Sequence, residues 1–230
     1  MLLNPGELEN LGRSSCSFHG DQRFLVKAQT FMLISSLIQG NIMKVCGIVG
    51  SPKKKGNVDL LVSKVLEGAS SQGAETEKLY LNDMQIKPCQ SCGKDPYPEY
   101  CRVDDDMKLI YAVLESFDSI VLGSPVYFDS VSAQTKLMID RCNCVMPYLS
   151  RPDGTYEFER RIQKRKKGVF IAVAGLHQEF NTILTTVKGF FHWGNIELTE
   201  TILYAHEGGL GCVREDKAVM NHAFEVGSAL

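Results

Sequence analysis

The sequence predicts a doubly wound α/β fold, in which helices cover both faces of a five-stranded parallel sheet. From residue 44 onward, short apolar runs alternate with helical segments. Runs of this kind are typical of strands buried on both faces, and their alternation with helices favours right-handed crossovers within one sheet. The 230 residues, of which 44% are hydrophobic, are enough for one such domain plus some additional chain.

The predicted elements follow one another in strict alternation. In the first helix, Val58, Leu61, Val62, Val65 and Ala69 share one side of a 3.6-residue period. Strands are expected at 45–49, 77–81, 119–122, 169–174 and 198–204, and the later helices at 107–114, 131–145, 183–193 and 216–226. In such sheets ligands bind beyond the carboxyl ends of the strands, near the switch in strand order. The loops that follow the strands are therefore the places to search for a site.

The first 42 residues differ from the rest of the chain. The apolar stretch 24–38 is interrupted by polar residues such as Lys27 and Gln29, and a membrane span needs about 20 apolar residues. We expect a domain at 43–230 preceded by an extension at 1–42. The extension is either a docked helix or a poorly ordered leader, and a start codon placed too early in the gene would also explain it.

Charge and cysteine content narrow the class of protein. A formal net charge of -2 gives no support for nucleic-acid binding. The eight cysteines are scattered rather than arranged as a compact secreted framework, and no cleavable signal is apparent. We therefore expect a cytoplasmic protein that binds neither nucleic acid nor membrane.

The stretch 45–57, Val-Cys-Gly-Ile-Val-Gly-Ser-Pro-Lys-Lys-Lys-Gly-Asn, predicts an anion site. A strand, a tight loop and a helix N-terminus bring unpaired N–H groups and the positive end of the helix dipole together. Ser51 offers a hydroxyl, Lys53 a charge, and Asn57 is expected at the N-cap. The spacing fits neither a nucleotide-triphosphate loop nor a dinucleotide fingerprint. A monophosphate site remains, and the alternative is an ordinary βα turn.

The loop after the third strand, residues 123–130, is the second candidate. Backbone groups around Pro125 can hydrogen-bond the edge of a heteroaromatic ring, and Tyr127 and Phe128 can cover its face. The alternative is that the two aromatic side chains pack under the following helix.

Several motifs in one order resemble the NADPH-dependent FMN reductase superfamily, and within it the iron–sulfur flavoprotein branch is the most similar. The motifs are Gly50-Ser51-Pro52-Lys53 with Gly56-Asn57, Lys87-Pro88-Cys89-x-x-Cys92, Asp105-Asp106-Met107, and Gly123-Ser124-Pro125-Val126-Tyr127-Phe128 leading to Ser132-Ala133-Gln134, Lys136 and Ile139-Asp140-Arg141. The resemblance covers residues 44–227. It implies a flavodoxin-like three-layer sandwich with strand order 2-1-3-4-5 and FMN as the cofactor.

The resemblance also implies site residues. Around the phosphate it places Ser51, Lys53, Asn57 and Val58; along the isoalloxazine it places Pro125, Val126, Tyr127, Phe128 and Ser130. Family members commonly carry Thr where Val58 stands, so Val58 offers only its N–H. In the third loop, where relatives are glycine-rich, Gly175 is retained, and Leu176 to Glu179, including His177, are candidates for the flavin edge.

The cysteines of residues 89–101 raise the question of a metal. A four-iron cluster usually has four thiolate ligands, and this chain supplies Cys89, Cys92 and Cys101, with Asp95 at the position three after Cys92. No His lies nearby to complete a zinc site. The site either takes Asp95 as a fourth ligand or is a cluster-free loop that shapes the flavin pocket. Cys46 is expected to be a small buried hydrophobic residue.

The function that follows from the resemblance is that of an FMN-dependent NAD(P)H oxidoreductase. The nicotinamide would reduce FMN, which would pass electrons to a quinone, an electron-poor aromatic compound or a partner protein. No catalytic side chain is expected because the chemistry belongs to FMN. The alternatives are a cluster-bearing electron carrier and a flavin-binding module without turnover. The active unit is expected to be a homodimer or homotetramer.

Overall fold

The computed structural model describes residues 42–93 and 98–230. The expected extension, apart from residue 42, and the candidate ligand Asp95 lie outside the described residues. The strands are β1 (Lys44–Val49), β2 (Glu75–Tyr80), β3 (Ser119–Tyr127), β4 (Ser130–Val131), β5 (Tyr148–Ser150), β6 (Tyr156–Phe158), β7 (Lys166–Gly175) and β8 (Ile196–His206). The α-helices are α1 (Asn57–Ser71), α2 (Met107–Ser116), α3 (Ala133–Arg141), α4 (Asn181–Trp193) and α5 (Lys217–Ser228). Short 3-10 helices lie at Leu81–Asp83, Cys142–Val145 and Cys212–Glu215.

The main sheet has the predicted strand order. Its five parallel strands run β2-β1-β3-β7-β8, which is the order 2-1-3-4-5 along the chain, and β4 adds an antiparallel pair to β3. The chain leaves β1 for one edge through β2 and returns to the other side of β1 as β3. The switch in strand order therefore lies between the carboxyl ends of β1 and β3, where ligands bind in open α/β sheets.

Two apolar cores lie on opposite faces of this sheet, as the three-layer prediction requires. Val45 and Val49 of β1 pack with α1 and α5, whereas Cys46 and Ile48 pack with α2, α3 and α4. The alternation follows from the two-residue period of a strand. Cys46 is fully buried as expected, and its burial, with a smaller contribution from Glu77, raises the pKa of its thiol to about 12.

Two sequence expectations were wrong at the level of elements, and one hairpin was missed. β3 continues to Tyr127, since Pro125 pairs with Val173 of β7 in parallel register, so the expected loop is mostly strand. The expected helix 131–145 is divided among β4, α3 and a 3-10 turn, because Ser132 caps α3 by accepting the Thr135 N–H. The hairpin of β5 and β6 was not predicted.

No helix in the described part of the chain has the length and apolar character needed to cross a membrane.

Candidate functional site

A cavity of about 320 Å³ opens at the carboxyl edge of the parallel sheet, beside the switch in strand order. The loop after β1, the end of β3, and the ends of β7 and β8 with the loops that follow them form its wall. Eight residues expected at the cofactor line it: Ser51, Lys53, Asn57, Val58, Pro125, Val126, Tyr127 and Gly175. The structure thus brings together three loops that lie far apart in the sequence.

The loop after β1 is fixed by contacts that leave no space for larger residues. The Gly50 N–H donates to the Gly123 carbonyl (2.7 Å), and the Ser132 hydroxyl donates to the Gly50 carbonyl (2.6 Å). A Cβ at Gly50 would lie 1.9 Å from the Thr135 hydroxyl oxygen. Ser51, next in the chain, is buried, and its Oγ accepts the Lys53 N–H (3.2 Å). The loop is therefore held in shape before any ligand enters.

Helix α1 has its N-terminus at this loop. The prediction that Asn57 is the N-cap of the helix was wrong. The first intrahelical bond runs from the Leu60 N–H to the Gly56 carbonyl (2.9 Å), which makes Gly56 the capping residue. The Asn57 side chain instead accepts the Val213 N–H (3.2 Å) and contacts the loop after β8. The N–H groups of residues 57 to 59 precede the first bond and have no partner within the helix. They are available to an anion.

Asp59 is a buried carboxylate in the first turn of α1. Burial alone would raise the pKa of this carboxyl, but hydrogen bonds from Lys78 (2.8 Å), the Lys55 N–H (2.6 Å) and Tyr80 (2.9 Å) outweigh burial, and the pKa lies below its ordinary value. Its charge is therefore paired with Lys78 rather than directed at the cavity.

The three lysines of the loop have different environments. Lys54 forms an ion pair with Asp83 (2.6 Å), whereas Lys53 lines the cavity. Lys55 adopts a positive φ of 60° and donates its N–H to Asp59. Of the three, Lys53 is the residue whose charge can act on a ligand in the cavity.

The turn between β3 and β4 differs in part from the sequence expectation. Phe128 and Asp129 both have positive φ (50° and 56°), which is typical of a two-residue primed hairpin turn. The Phe128 side chain is fully exposed and Tyr127 is 45% exposed, so the alternative of two aromatics packed under α3 is wrong. Tyr127 lines the cavity, but Phe128 and Ser130 do not.

The loop after β7 is attached to this turn and to itself. The Glu179 N–H donates to the Asp129 carboxylate, and the Gly175 N–H donates to the Gln178 side chain, both at 2.9 Å. Gln178 lines the cavity together with Gly175, whereas Leu176, His177 and Glu179 do not.

Sequence reasoning missed the fourth wall of the cavity. His206 ends β8, Gly208, Gly209 and Leu210 follow it, and all four line the cavity. Two adjacent glycines after a strand at the carboxyl edge were the available signal, because all such loops meet at one edge of a parallel sheet.

Four of the cysteines lie at a second cavity, of about 720 Å³, lined by residues 89–93 and 100–103 and by residues of the β5–β6 hairpin. Cys89, Cys92, Cys101 and Cys144 are on its wall. Within residues 42–93 and 98–230, no three His, Cys, Asp or Glu side chains are placed so that they could hold one metal ion. The Cys101 sulfur instead accepts a hydrogen bond from Arg141 (3.4 Å), and Cys144 donates to the Arg141 carbonyl (3.2 Å). The described residues do not fit an iron–sulfur cluster.

Comparison with known proteins agrees with this architecture. The family model of the NADPH-dependent FMN reductases matches residues 43–208. An iron–sulfur flavoprotein of Methanocaldococcus jannaschii is 43% identical over 99 residues, 43% of this chain and 51% of that protein. One from Archaeoglobus fulgidus is 37% identical over 110 residues, 48% of this chain and 49% of the relative. The chain spans about half the length of these curated relatives.

The fold is shared with solved structures at low identity. The NAD(P)H:quinone oxidoreductase from Methanothermobacter marburgensis aligns with a TM-score of 0.58 at 17% identity, covering 81% of this chain and 98% of the other. The match to the family model covers the five parallel strands and the residues that line the first cavity as far as Gly208, whereas Gly209 and Leu210 lie beyond it. The chain belongs to the NADPH-dependent FMN reductase family and has a flavodoxin-like fold.

Proposed function

We propose that the protein is an FMN-dependent oxidoreductase that accepts electrons from NADH or NADPH and passes them to a small molecule or a partner protein. The observation that carries the proposal is the cavity at the strand switch, where a helix N-terminus with unpaired N–H groups faces loops able to line a flat ring. Membership of the family supports FMN as the group bound there.

The residues fit FMN in two parts. The buried Ser51 hydroxyl, the N–H groups of residues 57 to 59 and the charge of Lys53 would hold a phosphate. The walls formed by Pro125 to Tyr127 on one side and Gly175 on the other would hold the ring system. A Cβ at Gly56 would meet the Lys53 carbonyl at 2.9 Å and Leu210 at 3.1 Å, so the loop can close only around glycine.

FMN, when bound, supplies hydride and electron transfer, and the protein supplies position and electrostatics. Tyr127 is half-exposed at the rim of the cavity, where its ring can cover one face of the flavin. Phe128, fully exposed beside it, would contact a substrate or a second subunit rather than the buried part of the cofactor. The expected homodimer or homotetramer and the cytoplasmic location stay predictions.

Two alternative functions are an iron–sulfur electron carrier and a flavin-binding module without turnover. The names of the relatives favour an iron–sulfur electron carrier, but the described cysteines do not form a ligand set. A flavin-binding module without turnover would use the same cavity. These alternatives differ from an oxidoreductase in metal content and in reaction with nicotinamides.

The test is oxidation of NADPH and NADH by the purified full chain with FMN and a small quinone, together with iron and sulfide analysis of the same sample. We expect saturable, quinone-dependent nicotinamide oxidation and no stoichiometric iron. Bound FMN without nicotinamide oxidation would indicate the binding module, and stoichiometric iron with sulfide would indicate the electron carrier.

A further inference from the structure

At the wall of the cofactor cavity, hydrogen bonds join the side chains of Cys212, His206 and Asn57. Cys212 begins the 3-10 turn after the loop, His206 ends β8 and Asn57 begins α1. The His206 Nδ1 lies 3.4 Å from the Cys212 Sγ, and the His206 Nε2 lies 2.9 Å from the Asn57 Nδ2. Three separate elements thus place a thiol, an imidazole and an amide within hydrogen-bond distance of one another.

The hydrogen bonds assign the proton on the imidazole. Since the Asn57 Oδ1 accepts the Val213 N–H (3.2 Å), its Nδ2 is the group that faces His206 and donates to Nε2. With Nε2 accepting, the neutral ring carries its hydrogen on Nδ1, which faces the Cys212 sulfur. The Asn57 amide therefore orients the imidazole so that its Nδ1–H is directed at the Cys212 sulfur.

Two further donors surround the same sulfur. The second hydrogen of the Asn57 amide is directed at Sγ (3.4 Å), and the Tyr204 hydroxyl lies 3.9 Å away. Burial, followed by the hydrogen bond with Cys212, raises the pKa of Tyr204 to about 12, so this phenol stays protonated and can donate. The imidazole Nδ1–H, the Asn57 amide and the Tyr204 hydroxyl are therefore three donors that converge on the Cys212 sulfur, and hydrogen bonds to the sulfur favour the thiolate, which is the nucleophilic form of cysteine.

The loop after β8 lies against the Cys212 side chain. Cys212 is partly exposed, but Gly208 crosses so close that a Cβ there would lie 2.9 Å from Sγ. Gly211 adopts a positive φ of 76°, which lets the chain turn back immediately before Cys212. The partial exposure of Cys212 leaves its sulfur open to an electrophile such as hydrogen peroxide.

We propose that Cys212 is a reactive thiol that hydrogen peroxide oxidises, with His206 as the positioning residue. The thiol gives up its proton to solvent, the thiolate sulfur attacks one peroxide oxygen, an S–O bond forms and the O–O bond breaks. The hydroxide that leaves takes up one proton, equal to the one that the thiol released, so thiol and peroxide give sulfenic acid and water. The sulfur loses two electrons and the peroxide gains them, which gives a sulfenic acid that a second thiol can return through a disulfide. This inference does not depend on FMN binding.

The experiment treats the purified full chain with hydrogen peroxide in the absence of nicotinamide, traps sulfenic acid with dimedone, and follows each cysteine by peptide mass spectrometry. We expect Cys212 to react at least about tenfold faster than the exposed Cys89 and Cys92 in the same molecules. His206→Gln should reduce the Cys212 rate by about tenfold, whereas His222→Gln, on the exposed side of α5, should leave it unchanged.

The comparison within wild-type protein needs no variant and stands even if His206→Gln folds poorly. A Cys212 rate no greater than that of Cys89 and Cys92, or an unchanged rate in folded His206→Gln, would overturn the proposal. Because no flavin reaction is measured, failure here is distinct from failure to bind FMN or to oxidise NADPH.

Discussion

At the scale of single residues, Ser51 is the side chain on which the proposed phosphate site depends most directly. Its hydroxyl is buried at the cavity wall, and its one described internal partner is the Lys53 N–H. Ser51→Ala should therefore weaken FMN binding by about 1–3 kcal/mol through loss of a hydrogen bond to a charged group. Flavin fluorescence titration measures this, and an unchanged dissociation constant would remove Ser51 from the site.

Substitutions of Lys53 and Lys54, two neighbouring lysines of the same loop, separate the contribution of charge to FMN binding. Lys53 lines the cavity, whereas Lys54 pairs with Asp83. Lys53→Ala should weaken FMN binding, and the loss should shrink as salt is added, because exposed charges are screened. Lys54→Ala should bind FMN as the parent does. Equal effects of the two substitutions at all salt concentrations would contradict the assignment.

The Asp105–Arg141 ion pair makes a separate prediction about stability. Both side chains are almost fully buried (2% and 1% exposed) and 2.5 Å apart. Asp105→Asn should lower the free energy of unfolding at neutral pH by about 3–5 kcal/mol, because it leaves a buried cation without its partner. Asp104→Asn, at an exposed pair with Lys108, should change it little.

The acid dependence of this pair follows from the pKa of Asp105. Burial alone would raise that pKa, but hydrogen bonds from Arg141 and from the Lys87 and Met107 N–H groups lower it below its ordinary value. Its contribution is complete above the unfolded-state pKa of about 4 and is lost as pH falls through the lower folded-state pKa. Urea unfolding at pH 7 and pH 3 should show the Asp105→Asn difference shrinking in acid; a constant difference would be contrary to this account.

At the scale of elements, Gly50 is where β1, β3 and α3 meet. A Cβ at Gly50 would lie 1.9 Å from the Thr135 hydroxyl and 3.0 Å from the Gly123 carbonyl, whereas a Cβ at Gly189 in α4 meets nothing within 4 Å. Gly50→Ala should cost about 1–3 kcal/mol of stability through overpacking and should weaken flavin binding. Gly189→Ala should be neutral or stabilising by up to about 1 kcal/mol. Thermal unfolding and flavin titration of both variants check this. A Gly50→Ala protein with the thermal midpoint and flavin affinity of the parent would refute it.

The elements also show why sequence reasoning succeeds in one place and fails in another. β1 was predictable because its buried residues form a continuous apolar run that ends at Gly50. The β5–β6 hairpin was not, because its two strands are exposed along their whole length and, at three residues each, are too short to show a period. Residues around Pro125 were wrongly predicted as a loop because proline was taken as a loop signal. In the structure Pro125 lies in β3 opposite Val173 of β7, at a position where no N–H is needed from it.

For the site, sequence reasoning found the loops that carry a motif. Ser51 and Tyr127 follow recognisable strands and line the cavity as expected. His206 and Asn57 could not be paired from the sequence, because they are 149 positions apart and only the sheet brings them together.

At the scale of the whole molecule, we propose that residues 43–230 suffice for folding and flavin binding. Every loop that lines the cavity follows β1, which begins at Lys44, and the parallel sheet closes its cores with the helices that follow it. The chain from Met43 to Leu230 should therefore match the full chain in thermal midpoint and flavin occupancy when both are expressed side by side. An insoluble truncated protein, or one unable to hold FMN where the full chain does, would show that the extension belongs to the functional fold.

The central claim is that the cavity at the strand switch binds FMN, and the most direct measurement is the identity of the flavin held by the full chain. The cavity of about 320 Å³ has the short loop after β1 on its wall, and such a loop suits the terminal monophosphate of FMN. Protein reconstituted with an equimolar mixture of FMN and FAD, separated from free flavin and denatured by heat, should release FMN, identified by mass, with a flavin absorption spectrum before release. Recovery of FAD alone, or of no flavin, would contradict the account.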